Sequence, residues 1–456
     1  MDKISCSSID RRDFIKLVGA GAALVALNGC KSKDASSVAQ TGASFDKMTY
    51  RIDPKNGNNV SLLGYGCMRL PRVPRAHKES LADVNDIDQE TVNELTDYAI
   101  EHGVNFFDTA PVYCKGFSEH AMGMALSRHP RNKYFISTKL SNQRGDNSWE
   151  NSLNIYKRSF EALKTDYIDY YLLHSIGTLE NFKKRYLDNG LLDFLMKERN
   201  AGRIRSLGWS FHGEGEFFDY LMDKYQWDFV LIQLNYLDWN QVFGRATVSA
   251  KHQYDVLVEK NVPAMIMEPL LGGRLAMPHY KARAMMAQFD PQASAASWAF
   301  RFAGSLPNVL TVLSGMTFME HLQDNIRAYS PLVPLVEKEY AMLEQAAQIA
   351  LEYRNINCTT CQYCMPCPYG LDIPGIISHF NRSLNEGNFP DDKQDADYRR
   401  ARRAFLVGFD RNVSNMRQAN RCTGCGICVK DCPQRIDIPQ EMRRIDSFTE
   451  NLKIDV

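Results

Sequence analysis

Between residues 61 and 329 short apolar runs alternate with stretches whose apolar positions recur every three to four residues. The runs at 62–66, 104–108, 134–139, 168–174, 204–210, 229–233, 264–268 and 309–314 read as strands. Each is apolar almost throughout, the pattern of parallel strands covered on both faces. Helical spacing fills the gaps. Residues 89–102 put Val92, Leu95 and Ala99 on one face, and 152–164 do the same with Leu153, Tyr156, Phe160 and Leu163. Eight such strand–helix units predict an α/β fold, a (β/α)8 TIM barrel. An open doubly wound sheet is the rival. No G-x-G-x-x-G follows an early strand, as a dinucleotide site of that kind requires.

In such barrels chemistry sits at the C-terminal ends of the strands. Asp108, Lys139 and His174 end the second, third and fourth runs, and Tyr113 lies just after Asp108. The stretch FFDTAPVYCKGFSEHAMGMAL, the lysine ending YFISTK and the histidine ending DYYLLH resemble the aldo/keto reductase superfamily, over most of 50–328. That resemblance implies hydride transfer between NADPH or NADH and a small carbonyl or alcohol substrate. It makes Asp108, Tyr113, Lys139 and His174 a catalytic tetrad. The residue types suit the task, because hydride addition builds negative charge on the carbonyl oxygen and needs a proton there. Tyr113 would donate that proton. Lys139 would lower the phenol from its usual pKa of about 10. Asp108 would hold the lysine, and His174 would orient the carbonyl.

The resemblance also implies cofactor contacts. Ser210, Gln233 and Tyr236 would hold and stack on the nicotinamide. Pro269, Leu270 and Gly272 would lie near the pyrophosphate. Gly315, Thr317, His321, Asp324 and Asn325 would bind the adenosine end. Two positions depart from the family pattern. Phe211 stands where an asparagine usually meets the nicotinamide amide, and Phe318 where an arginine often meets the 2′-phosphate. Phenylalanine cannot make that charge-assisted contact. Cys114 replaces a common glycine and is expected to alter the pocket wall.

Of 12 cysteines, eight lie between Cys358 and Cys432. Cys422, Cys425, Cys428 and Cys432 form C-x2-C-x2-C-x3-C-P, the bacterial ferredoxin run for a 4Fe–4S cluster. Cys358, Cys361, Cys364 and Cys367 form a similar run, one residue shorter at its last gap, and the tails GLDIP and RIDIP match. The repeat predicts a two-cluster ferredoxin-like domain, α+β or mostly helical. In such domains the fourth cysteine of each run serves the other cluster. Cys432 then joins Cys358, Cys361 and Cys364, while Cys367 joins Cys422, Cys425 and Cys428. Zinc sites and disulfides are the alternatives. Zinc more often takes separated C-x2-C pairs or histidines.

Lysine plus arginine equals aspartate plus glutamate at 54 each. That balance gives no sign of a nucleic-acid partner. The arginines of DYRRARRAF read as a solvated helix face, or as a dock for an acidic redox protein. The N-terminus differs in character. Lys3, Arg11, Arg12 and Lys16 precede an uncharged apolar run, 17–27, too short to span a bilayer comfortably. The paired arginines resemble a twin-arginine signal, and Leu27-Asn28-Gly29-Cys30 resembles a lipoprotein box. Export by that route places the chain in the periplasm or on the envelope, its only membrane tie a lipid at Cys30; the alternative is cytoplasmic. The domain plan is a signal at 1–30, a tether at 31–46, the barrel at 47–330, and a helical connector with the cluster domain at 331–456.

Hydride carries two electrons and a cluster accepts one, and no flavin motif bridges them. The clusters are therefore expected to be structural, to serve a partner, or to act on a one-electron substrate. An envelope electron-transfer or ligand-binding protein whose barrel does not turn over nicotinamide is the alternative function.

Overall fold

The computed structural model describes residues 47–73, 86–143, 146–213, 215–242, 247–353, 355–390 and 392–454. The signal and tether expected at 1–46 lie outside the described residues. A short antiparallel hairpin, β1 (Tyr50–Ile52) and β2 (Asn59–Ser61), precedes the barrel. Eight parallel strands then close on themselves: β3 (Leu63–Gly66), β4 (Phe106–Asp108), β5 (Phe135–Leu140), β6 (Ile168–Ile176), β7 (Ile204–Phe211), β8 (Phe229–Gln233), β9 (Ala264–Met267) and β10 (Val309–Ser314). All eight expected strands are present, within a few residues of the ends read from the sequence. The doubly wound alternative is excluded, because β10 pairs with β3 and leaves no edge.

Two apolar layers hold the barrel. Inside it, Phe106, Tyr170, Leu172, Phe229, Leu231, Met265 and Leu310 form a closed core. The Tyr170 ring meets Phe106 at 5.1 Å and Phe229 at 5.3 Å. The hairpin plugs the floor. Val60 joins this inner core, and the Tyr170 hydroxyl donates to Asp53 at 3.0 Å. Outside, the helices pack against the other faces of the strands. In the helix Gln89–Glu101 Val92, Leu95 and Ala99 are buried as the spacing predicted, and Asp88 caps its N-terminus.

The helix Glu337–Glu352 follows the barrel. Its Met342, Leu343, Ala346 and Ala347 belong to the outer barrel core, so that core continues past residue 330. Beyond it the described residues contain no strand. The helices Ile373–Asn385, Tyr398–Asn412 and Ile438–Ile454 pack around Ile376, Ile377, Phe380, Phe405, Phe409 and Met442. The C-terminal region is thus helical, not α+β. In the helix Tyr398–Asn412, Ala401, Phe405 and Phe409 face inward, and Arg399, Arg400 and Arg403 are exposed.

Candidate active site and cluster centre

The four expected catalytic residues meet on the C-terminal rim of the barrel. Asp108 ends β4, Lys139 sits near the end of β5, and His174 lies in the last third of β6. Lys139 is fully buried. Its Nζ donates to Asp108 Oδ1 at 2.7 Å, to Asp108 Oδ2 at 2.6 Å and to the Thr109 carbonyl at 2.8 Å. All three ammonium protons are thereby satisfied. Ser137 Oγ also donates to Asp108, at 2.7 Å.

Tyr113 stands over this pair, its ring centroid 4.9 Å from Lys139 Nζ. The His174 ring meets it edge-on at 5.9 Å. Burial, then the Asp108 charge, pushes the Tyr113 phenol well above its ordinary value. The expected lowering by Lys139 is not found. Asp108 grips the ammonium with both oxygens and cancels much of its field, so burial decides the sign. The phenol therefore keeps its proton at neutral pH, the state a proton donor needs.

His174 Nδ1 is held from below by Ser141 Oγ at 2.6 Å and by the Gln143 amide nitrogen at 3.3 Å. With the amide oriented in this way Nδ1 accepts, which leaves the proton on Nε2. Arg185 fixes the strand end behind it. This fully buried arginine donates to the carbonyls of His174 at 2.7 Å and Ser175 at 3.0 Å, and to Asn142 and Asn181. As a charged residue in a polar stretch it gave no signal in the sequence.

Glu119 lies one layer below. Thr138 donates to it at 2.6 Å, and burial raises its carboxyl to about 7. The unfolded chain releases this proton near the ordinary value of 4.5. Between those two pH values the folded state holds a proton that the unfolded state has lost, so stability falls as pH rises and levels off above about 7. Urea titrations at pH 5 and pH 8 are expected to differ by about 3 kcal/mol on this account. Glu119→Gln removes that part of the difference; an unchanged slope in the variant would contradict the assignment.

A cavity of about 1130 Å³ opens above the tetrad, at the upper end of the size of ligand sites. Asp108, Tyr113 and His174 line it, with Gln233 at the end of β8. Pro269, Leu270 and Gly272 line it after β9, and Gly315, Thr317, His321, Asp324 and Asn325 after β10. Ser210 and Tyr236 are buried beside it instead. Ser210 Oγ accepts from the Ser175 amide at 2.7 Å, and the Tyr236 ring packs on Phe302. Phe211 turns away from the large cavity onto Trp209 and Phe218, and the next residue, His212, reaches it. Phe318 is exposed beside His321. Cys114 is buried with a left-handed backbone (φ 50°), which explains the usual glycine there, and burial raises its thiol.

The cluster domain forms part of the same cavity. Thr359, Cys361 and Tyr363 line it, as do Lys430, Asp431, Pro433, Gln434 and Arg435. Nothing in the sequence announced this. Arg69 Nη2 donates to the Thr359 carbonyl at 2.5 Å, and Arg274 Nη1 to Asn357 Oδ1 at 3.0 Å. Gly272 has a left-handed φ of 67°, and a Cβ there would stand 2.3 Å from the Thr359 carbonyl oxygen.

The ten described cysteines carry no disulfide; Cys6 and Cys30 lie outside the described residues. The eight of the C-terminal runs gather in two sets. Burial first, and then the neighbouring Cys358, Cys361 and Cys432, push the Cys364 thiol up to about 12. Cys428 is pushed up to about 11 by burial, with Cys422, Cys425 and Cys367 its neighbours. The structure thus brings Cys432 beside the first run and Cys367 beside the second. Among the described residues no three ligand side chains could hold a single metal ion.

Comparison with known proteins agrees with both halves. The model of the aldo/keto reductase family matches residues 62–348. The chain belongs to the aldo/keto reductase family. A 4Fe–4S dicluster domain matches residues 357–437. Among the relatives of this aldo/keto reductase, an uncharacterized oxidoreductase of Bacillus subtilis, YqkF, is 26% identical over 290 residues, covering 59% of this chain and 87% of that protein. L-galactose dehydrogenase of Arabidopsis thaliana is 25% identical over 313 residues, covering 63% and 90%. An aldo-keto reductase of Bacillus halodurans in its holo form shares the fold, with a TM-score of 0.53, 22% identity, and coverage of 66% of this chain and 97% of that one. An aldo-keto reductase from Klebsiella pneumoniae, solved with NADPH, superposes with a TM-score of 0.50 at 19% identity, covering 66% and 94%.

Proposed function

We propose that this aldo/keto reductase transfers hydride between NADPH or NADH and a small carbonyl or alcohol held in the cavity over Tyr113. The observation that carries the reading is the Asp108–Lys139 ion pair beneath Tyr113, with His174 edge-on, on the rim of one cavity. The nicotinamide, when bound, supplies the hydride. Tyr113 gives its hydroxyl proton to the carbonyl oxygen as charge develops there. His174 Nε2 donates to the same oxygen and aims it, with Ser141 holding the imidazole and Arg185 the backbone behind it. The Lys139 ammonium, its charge offset in part by Asp108, lies 4.9 Å from the Tyr113 ring centroid and tempers the phenolate left behind. The loops after β9 and β10 suit the pyrophosphate and adenosine ends.

The eight C-terminal cysteines suit two 4Fe–4S clusters, one held by Cys358, Cys361, Cys364 and Cys432 and the other by Cys367, Cys422, Cys425 and Cys428. Bound there, the clusters supply one-electron capacity. Cys425 is exposed, which favours exchange with a separate redox protein. Cys361 shares the cavity with Tyr113, and this favours a second reading, in which a substrate takes single electrons without nicotinamide. We also propose that the first 30 residues direct export by the twin-arginine route, with Cys30 as lipid anchor, because that route carries proteins already loaded with cofactor. Among the described residues no helix is long and apolar enough to cross a membrane.

The experiment is an anaerobic titration of the purified iron-loaded protein with NADPH and NADH, followed by electron paramagnetic resonance. A reduced-cluster signal on nicotinamide joins the two halves in one electron path. Silence with nicotinamide, but a signal with dithionite, assigns the clusters to another donor.

A further inference from the structure

The barrel sends two cations to the segment that carries the first cysteine. Arg69 donates to the Thr359 carbonyl and Arg274 to the Asn357 side chain. Asn357 directly precedes Cys358, so the Arg274 guanidinium stands one residue from a thiol of the set Cys358, Cys361, Cys364 and Cys432. Arg274 comes from the turn Leu271–Ala276, which packs so closely on Thr359 that Gly272 has no room for a side chain. The contact is therefore built into the domain junction and is not a chance meeting of mobile surface groups.

The charge at this place is unusual. Guanidinium remains protonated in proteins. Among the described residues no carboxylate lies within ion-pair distance of Arg274. Asp238 and Glu268 are near enough to feel it, burial pushes both carboxyls up, and Glu268 also acts on Cys361. The fields of Arg274 and Cys358 reach each other directly. A positive charge held beside thiolates in a half-buried junction favours any added negative charge there.

We propose that Arg274 is the residue through which the barrel sets the reduction potential of the centre held by Cys358, Cys361, Cys364 and Cys432, and so decides which donors can reduce it. This rests on the crossed ligand sets proposed above. Reduction adds one electron to that centre and moves no proton; the electron comes from an external one-electron carrier, or from dithionite in the test. Arg274 raises the potential by stabilising the added charge. Because the same turn lines the cavity beside Pro269 and Leu270, a ligand that shifts the turn also shifts this charge.

The test is a redox titration of the anaerobically purified full chain, followed by electron paramagnetic resonance, with iron content measured on the same samples. In the parent protein, absence of 4Fe–4S signals at full iron content would sink the ligand assignment itself. With signals present, Arg274→Gln is expected to lower the midpoint of one centre and leave the other unmoved. At a fixed potential the reduced-to-oxidised ratio of that centre falls on the order of tenfold. Arg274→Lys, which keeps the charge, restores most of the parent value. Should Arg274→Gln lose iron, Asn357→Asp carries the test from the other side, since its carboxylate cancels the guanidinium and the same fall is expected. Midpoints unchanged in an iron-loaded variant, or both centres shifted equally, would overturn the proposal.

Discussion

Tyr113→Phe lowers kcat for carbonyl reduction by about 10²–10⁴-fold, the usual contribution of a positioned general acid. The variant loses one oxygen and keeps the ring. The edge contact with His174 and the position of the ring over Lys139 depend on that ring, so cavity shape and substrate KM are expected to change little. A fall in kcat and kcat/KM together, with KM steady, marks an interaction made in the transition state. A fall below tenfold would mean that another group delivers the proton. Tyr363, a second phenol lining the same cavity from the cluster domain, is the residue such a result would point to.

The second large effect concerns the ion pair beneath Tyr113. Lys139 has no exposure to water, and two of its three hydrogen bonds end on Asp108. Asp108→Ala leaves that ammonium buried with the Thr109 carbonyl and little else. Breaking such a pair from one side costs about 3–5 kcal/mol. Activity falls as well, since the base of the tetrad has lost its anchor. Adding Lys139→Met to Asp108→Ala removes the stranded charge, so the double variant is expected to regain stability while remaining inactive. Urea denaturation of the four proteins in this cycle measures the coupling. Additive losses, with the double variant the least stable, would contradict the view that the cost lies in the orphaned lysine.

The barrel was readable because parallel strands covered on both faces must be apolar along their whole length, and β6 (Ile168–Ile176) is buried at nearly every position. Asp108, Lys139 and His174 stood out because they interrupt such runs near their ends, and the resemblance to the aldo/keto reductases joined them with Tyr113. The cysteine runs were readable because ligand spacing is a local property. What the sequence hid is contact between distant segments. Tyr363 and Gln434 look like loop residues, and only the docking of the cluster domain on the turn Leu271–Ala276 brings them to the cavity. Arg185 reads as a surface cation in KKRY, yet it is buried because several carbonyl and amide oxygens converge on it. The place of Phe211, read as a departure from the family pattern, follows from strand geometry. Strand residues alternate, so Phe211 shares the helix-facing side of β7 with Trp209, and both rings are packed there.

The two halves share one cavity, the barrel rim on one side and the cysteine-bearing loops on the other. The loops bearing Cys361 and Cys432 also bear cavity-lining residues, Tyr363 on one and Pro433 to Arg435 on the other. The shape of the cavity therefore depends on the order of the cysteine loops.

The central claim is hydride transfer at the barrel rim. The most direct measurement incubates the iron-loaded protein anaerobically with nicotinamide cofactor deuterated at C4, as NADPH and as NADH, and a panel of aldehydes and ketones. Products are then analysed by mass spectrometry. The account predicts one deuterium on the former carbonyl carbon of at least one substrate, in step with cofactor oxidation, and its loss in Tyr113→Phe. Unchanged cofactor with every carbonyl, while the clusters still reduce with dithionite, would contradict it and leave the barrel a binding domain for a one-electron centre.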